Sequence, residues 1–285
     1  MRKLLLQLDT SPHPSVFDRI VAYDAGADEV MSYGGVTEGA VRDLVHGAIF
    51  TRAPKDLRCT AIFIGGADMA AGERVLAAVR QAFFGPLRVS VMLDSNGSNT
   101  TAVAAVAKLR QAISPDGDIH GRRAVVTAGS GPVGLRAAGL LARAGAVVTV
   151  TTRRADPASM VEGIHRRFGV QVRAEPVGPA RAPSVLEGAE LLLNAGAAGA
   201  QVVRRDWWMG RAGLRAAADL NAVPPPGVEG IEATDNGVDR SGTTTFGALG
   251  VGGLKMKIHK ACIARLFEQN DLVLDAETIA EVALS

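Results

Sequence analysis

Six residues, Gly129-Ser130-Gly131-Pro132-Val133-Gly134, have the composition and spacing of a phosphate-cradling turn. A G-x-G-x-x-G string means little by itself in a chain with 33 glycines. Its surroundings give it weight: the β-branched run Arg123–Thr127 leads into it, and an apolar helical pattern follows from Pro132. In that setting Gly129 permits the tight turn, and Gly131 removes a Cβ from the path of a pyrophosphate. Gly134 lets the helix pack on the strand. Pro132 gives up only an N–H that the first helical turn leaves unpaired, and the remaining N–H groups and the helix dipole face an anion. A Gly-x-Ser-x-Gly hydrolase elbow is excluded, because position 128 is Ala128.

The next strand ends Thr151-Thr152-Arg153-Arg154. A carboxylate at that point would bind both ribose hydroxyls of NAD. Thr152, Arg153 and Arg154 instead offer a hydroxyl and planar cationic donors suited to a 2′-phosphate, so the expected cofactor is NADP. Asp156 is better used as a helix cap. Asn194 and Ala195, at the end of the apolar run Leu191–Asn194, complete the cofactor-binding candidates.

Three other segments hold chemistry. Asp94-Ser95-Asn96-Gly97-Ser98-Asn99-Thr100-Thr101 is a polar run after a strand, where open α/β sheets collect ligands; equally, every residue in it can form an Asx turn and helix cap. Asp219-Leu220-Asn221-Ala222-Val223-Pro224-Pro225-Pro226-Gly227 also follows a strand and is stiffened by prolines. Lys255 and Lys257 follow the glycine-rich Gly250-Val251-Gly252-Gly253. The histidines at 13, 46, 120, 165 and 259 show no metal-ligand spacing, and no metal is expected.

These segments are positioned by alternating short apolar runs and amphipathic helical stretches, the pattern of parallel βαβ units. The expected class is α/β in two domains. An N-terminal parallel-sheet substrate domain spans 1–116, and a Rossmann NADP-binding domain spans 117–259. The terminal helix, about 260–285, is free to pack back onto the first domain. Ser114-Pro115-Asp116-Gly117-Asp118 is the best boundary, a polar turn cluster between two periodic regions. Expected strands include Leu4–Leu8, Glu29–Tyr33, Thr60–Ile64, Val89–Leu93, Val147–Thr151 and Ala216–Leu220, and the final third reads as helical. Ser15 and Asp68 are placed to cap helices.

Composition narrows the function further. Aromatic residues make up 4% of the chain and the net charge is +2, which argues against a nucleic-acid stacking surface. Cys59 and Cys262 are no disulfide framework and read as reduced thiols in a cytoplasmic protein. Leu4-Leu5-Leu6 behind Arg2 and Lys3 is too short for a signal sequence, and no membrane span is expected.

The strings Ser15-Val16-Phe17-Asp18, Ala61–Ala70, Asp94–Thr101, Asp219–Gly227 and Gly247–Lys255 together resemble the bacterial methylene-tetrahydromethanopterin dehydrogenases. The likeness is closest to the NADP-specific methylotroph type, which also accepts methylene-tetrahydrofolate, and it runs nearly the whole chain. The resemblance implies a cytoplasmic homo-oligomer with a tetrahydrofolate-dehydrogenase-like substrate domain, a Rossmann domain and a cleft between them. It implies oxidation of a methylene bridge to a methenyl bridge, with hydride passed directly to NADP. Lys255 matches the lysine that the family carries near the reacting centre. Phe17, Asp18, Asp94 and Asp219 become candidates for binding the reduced pterin, with Asn96, Asn99 and Asn221 as orienting amides. Related bifunctional folate enzymes hydrolyse the methenyl product with a Tyr-x-x-x-Lys pair. Here the positions four after Tyr23 and Tyr33 are Ala27 and Thr37, so no cyclohydrolase activity is expected. Two rival readings share the plan: an NADP-dependent reductase of another small molecule, such as a shikimate-type enzyme, and a non-catalytic NADP- or pterin-binding protein. Lys55 and Lys108 are poorly placed by sequence for the Lys–Asp pair that the shikimate chemistry needs.

Overall fold

The computed structural model describes residues 1–153, 156–177 and 182–284. The chain divides into two compact units. One comprises Met1–Thr100 with Met256–Ala283, and the other comprises Thr101–Lys255.

The first unit begins β1 (Leu4–Asp9), α1 (Val16–Asp24), β2 (Glu29–Tyr33), α2 (Glu38–Ile49), β3 (Thr60–Gly65), α3 (Met69–Ala82), β4 (Ser90–Leu93) and the start of α4 (Ser98–Ile113). The division therefore falls inside α4, upstream of the 114–118 turn, because the helix begins in one unit and belongs to the other from residue 101. The second unit continues β5 (Arg123–Thr127), α5 (Pro132–Arg143), β6 (Val147–Thr152), α6 (Ala158–Phe168), β7 (Arg173–Pro176), α7 (Ala182–Val185), β8 (Leu191–Asn194) and α8 (Arg205–Trp208). It ends with β9 (Ala216–Asp219), the strands β10 (Asn236–Arg240) and β11 (Thr243–Phe246), and α9 (Ala248–Arg265). The chain then returns to the first unit with β12 (Val273–Leu274) and α10 (Ala276–Leu284).

Both sheets are doubly wound. The first has the order β12-β4-β3-β1-β2, all parallel. One face is filled by Leu6, Leu8, Ile62, Ile64, Val91 and Leu93 from the strands and by Val41, Val45, Val75 and Val79 from α2 and α3. Strands covered on both faces read as continuous apolar runs, which is why β3 and β4 are buried at every position. The second sheet has the order β10-β11-β9-β8-β5-β6-β7, parallel except for β10 against β11. The α/β expectation from alternating runs is met in both units.

Helix starts follow the expected chemistry. The Ser15 hydroxyl accepts from the Asp18 amide at 3.1 Å, and Asp68 accepts from Ala70 and Ala71. Asp156 accepts from Ala158 at 2.9 Å at the start of α6. The helices expected from about Gly252 to Phe267 and from Ala276 are present as α9 and α10, but the final third also holds the strands β10, β11 and β12, which were not expected. The β10–β11 hairpin is tied down by one network. Asp235, 4% exposed, accepts from Arg240 at 2.6 and 2.7 Å, from the Thr245 hydroxyl at 2.8 Å and from the Glu232 amide. Burial opposes ionisation of Asp235, but the Arg240 pair, the Thr245 hydroxyl and the Glu232 amide outweigh it and hold its pKa below the usual carboxylate range. The backbone carbonyls of Asp235 and Ala233 in turn accept from Gly247 and Leu249, each at 2.8 Å, fixing where α9 begins.

Asp235→Ala should therefore cost about 2–3 kcal/mol by leaving Arg240 without its partner. A depressed folded pKa contributes stability above the unfolded carboxylate value of about 4 and loses it as pH falls through the folded value. Denaturant melts of both proteins should thus differ at neutral pH and converge in acid. An equal gap at every pH would rule out the ion pair as the cause.

Candidate active site

In open α/β sheets ligands sit beyond the carboxyl ends of the strands, where the winding reverses. In the second unit that reversal lies between β5 and β8. The loops leaving those two strands carry the glycine turn and Asn194–Ala195, so the topology brings both groups of predicted residues to one place.

The turn is built as its residues require. A Cβ on Gly134 would stand 2.5 Å from the Cα of Gly129, so only glycine allows α5 this close to the turn. A Cβ on Gly131 would meet no protein atom within 4 Å, and φ there is −82°. The protein gives no internal reason for glycine at 131, whereas a pyrophosphate lying against that backbone does. Gly131, Pro132 and Val133 begin α5 at this point, with no side-chain cap on the helix. Ala128 adopts φ of +50°, a left-handed conformation that costs a non-glycine residue roughly 1 kcal/mol. Its amide donates to the Thr151 hydroxyl at 3.1 Å, and the Gly129 amide donates to the Thr151 carbonyl at 2.9 Å. The end of β6 therefore holds the turn and also leads into Thr152 and Arg153. Thr152 is buried and Arg153 is exposed; Arg154 lies outside the described residues.

Sequence reading missed Arg136. It is buried one turn into α5, and its guanidinium donates to the Pro132 carbonyl at 3.0 Å. A permanent cation at the base of the turn adds to the helix dipole in favouring an anion.

Asn194 and Asp219 are fully enclosed. Asn194 donates to Asp219 at 2.8 Å and accepts from the Thr127 hydroxyl at 3.0 Å and the Gly196 amide at 3.3 Å. Asp219 also accepts from the amides of Asn221 and Val228. Asn221 accepts from Gly199 and Val223 and donates to the Pro225 carbonyl. These three side chains shape the 219–228 loop, with its cis Pro224–Pro225 bond, around the end of β8.

In the first unit the winding reverses between β1 and β3. The loop after β1 leads into α1, which carries Phe17 and Asp18. Asp18 reaches the end of β3, with Oδ2 3.7 Å from where a Gly65 Cβ would stand. Asp9, a residue the sequence did not single out, lies beneath them at the end of β1 and accepts from the Ser11 and Ser15 amides. Phe17 is 49% exposed. Asp94, at the end of β4, is away from the reversal and 1% exposed. It accepts from the amides of Asn99 and Thr100 and from the Thr100 hydroxyl at 2.6 Å. The Asx-turn and cap reading of this run therefore describes Asp94, while the Asn99 amide is buried against the Leu93 carbonyl. Asn96 is exposed with φ of +55°. Lys255 is half-buried on α9 and Lys257 is exposed. Among the described residues no cluster of His, Cys, Asp and Glu could hold a metal, and no helix is long and apolar enough to cross a membrane.

Two doubly wound units, one with a G-x-G-x-x-G turn at its reversal, define a two-domain α/β protein of the Rossmann dehydrogenase type. Solved structures share that fold. A shikimate 5-dehydrogenase from Mycobacterium fortuitum aligns with a TM-score of 0.54 at 18% identity, covering 100% of this chain and 98% of its own. One from Listeria monocytogenes, solved with shikimate and NAD, aligns at 0.52 and 13%, covering 99% and 96%. Sequence relatives are more specific. The bifunctional protein MdtA of Methylorubrum extorquens is 49% identical over 284 residues, 99% of this chain and 98% of that protein. The NAD(P)-dependent methylenetetrahydromethanopterin dehydrogenase of the same organism is 31% identical over 291 residues, again 99% and 98%. Residues 16–96 match the family described as "Methylene-tetrahydromethanopterin dehydrogenase, N-terminal". The chain belongs to the methylenetetrahydromethanopterin dehydrogenase family.

Proposed function

We propose that the protein oxidises methylene-tetrahydromethanopterin, and also methylene-tetrahydrofolate, to the methenyl form with NADP as acceptor. The observation that carries the cofactor half is the open cradle at Gly131, beside β6, which ends at Thr152 and is followed in the sequence by Arg153-Arg154, with no carboxylate before Asp156. The carrier half is supported by family membership and by Phe17 and Asp18 at the reversal of the first sheet. Bound at the glycine turn, NADP supplies the hydride acceptor.

The chain's residues then divide the work. The backbone amides from Ser130 to Gly134, the proline excepted, hold the pyrophosphate with Arg136 beneath them; Thr152, Arg153 and Arg154 bind the 2′-phosphate. Asn194, Asp219 and Asn221 hold the loop beside the turn in one shape, and Asp94 and Asn99 do the same for the start of α4. Phe17 offers a flat apolar surface to the reduced pterin, Asn96 lies at its edge, and Asp18 faces the amino-pyrimidine N–H donors. Lys255 orients the bridge nitrogens. Their lone pairs expel hydride from the methylene carbon and leave a delocalised amidinium cation, so no side chain has to remove a proton from that carbon. No Tyr-x-x-x-Lys pair is present in the sequence, so this reading includes no hydrolysis of the methenyl product.

The cofactor assignment is tested with the Arg153→Ala, Arg154→Ala double variant. Its kcat/KM ratio for NADP over NAD should fall by about 100-fold, the effect of losing one or two charged hydrogen bonds. An unchanged ratio would mean that the arginines are only a solvated turn.

A further inference from the structure

The position sequence reading set aside is His259. It belongs to a stripe formed by Lys255, His259 and Cys262 on α9 and Leu266 just past its end, with the spacing of one helix face. The last three are fully buried, and burial pushes the Cys262 thiol up to about 12, with the Asp94 charge as a further cause. This face therefore enters the first unit as core, with a ring where the pattern would accept an aliphatic side chain.

The His259 imidazole stacks on Phe63 of β3, with ring centroids 5.5 Å apart and planes at 22°. Phe17 is a second ring neighbour of the imidazole, at 6.4 Å and 43°. Phe63 is 1% exposed, His259 not at all, and Phe17 about half. The three rings thus form a series from the buried strand to the exposed first turn of α1, with the imidazole in the middle. α1 is short, and Val16 and Ile20 flank Phe17 as exposed residues. The imidazole is thus in ring contact with Phe17. Lys255 is one turn away from His259 on α9.

We propose that His259 is a positioning residue for the one-carbon carrier: backed by Phe63, its ring fixes the orientation in which Phe17 meets the reduced pterin. This rests on the carrier-binding reading above. An aromatic contact that acts through a second ring predicts coupling, which a double-mutant cycle isolates.

The test is calorimetric titration of tetrahydrofolate and tetrahydromethanopterin, and separately of NADP, into wild type, His259→Gln, Phe17→Leu and the double variant. Thermal melts report whether each is folded. His259→Gln should weaken carrier binding about fivefold to tenfold, the scale of one aromatic pair, and leave NADP binding within about twofold. In the Phe17→Leu background it should add nothing further. Phe63→Leu removes the other side of the stack and should repeat the carrier-selective loss if His259→Gln does not fold. Additive losses, an unchanged carrier affinity, or equal weakening toward NADP would overturn the assignment of His259 alone. A wild type that binds NADP but neither carrier would overturn the carrier reading and this inference with it.

Discussion

Lys255→Ala is expected to lower kcat by about 100-fold or more while the NADP dissociation constant stays within about twofold. The size of the effect follows from where the lysine is held. α9 starts at a point fixed by the Asp235 and Ala233 carbonyls, and Lys255 lies two turns further on, half-buried on a helix that then runs into the core. A side chain on such a helix is presented from a fixed base, and a misplacement of about 1 Å can cost 100-fold in rate. The product of the proposed reaction is a cation, so the expected role of the ammonium group is to donate to an oxygen of the pterin rather than to face the reacting carbon. Lys255→Arg keeps the charge but changes reach and donor geometry, and should recover only part of the rate. Steady-state kinetics beside NADP titration separates these effects. Wild-type turnover in Lys255→Ala would remove the residue from the mechanism.

The second large effect is expected at Gly131. Gly131→Val should weaken NADP binding by more than about 100-fold, the loss of two charged backbone hydrogen bonds to the pyrophosphate. It should leave the melting temperature nearly unchanged, because a Cβ there meets no protein atom within 4 Å. Gly134→Ala is the opposite control. Its Cβ would be driven against the Gly129 backbone, so it should destabilise the fold before it affects any ligand. If both variants lost stability alike, the turn would be a packing device rather than a binding one.

The contrast between these glycines shows what could be read without coordinates. The turn, the strand before it and the missing carboxylate after it are local, and local chemistry is legible in sequence. Strand order is not. Asp18 and Asp94 both follow strands and looked equivalent in the chain, but only the loops of β1 and β3 border the winding reversal. Asp94 is instead enclosed by the helix it caps. The β10 strand was missed because its residues are mostly exposed and show no alternation, although Ser241-Gly242 is a turn signal. β12 has two residues, too few to show any period. Arg136 was not singled out, because an arginine on an amphipathic helix is ordinarily exposed, whereas this one is buried. His259 could have been found: its spacing from Lys255, Cys262 and Leu266 places it on an apolar face, where a histidine calls for a reason.

The central claim is direct hydride transfer from a methylene bridge to NADP, and an isotope measurement reaches it most directly. Methylene-tetrahydromethanopterin and methylene-tetrahydrofolate, each prepared from deuterated formaldehyde, would be incubated with the protein and NADP. Mass spectrometry would then follow the reduced cofactor, and absorbance the methenyl product. The expected result is a single deuterium in each NADPH formed, with a methenyl product that accumulates and is not hydrolysed faster than without protein. NADPH without deuterium, or no NADPH from either carrier, would contradict the account.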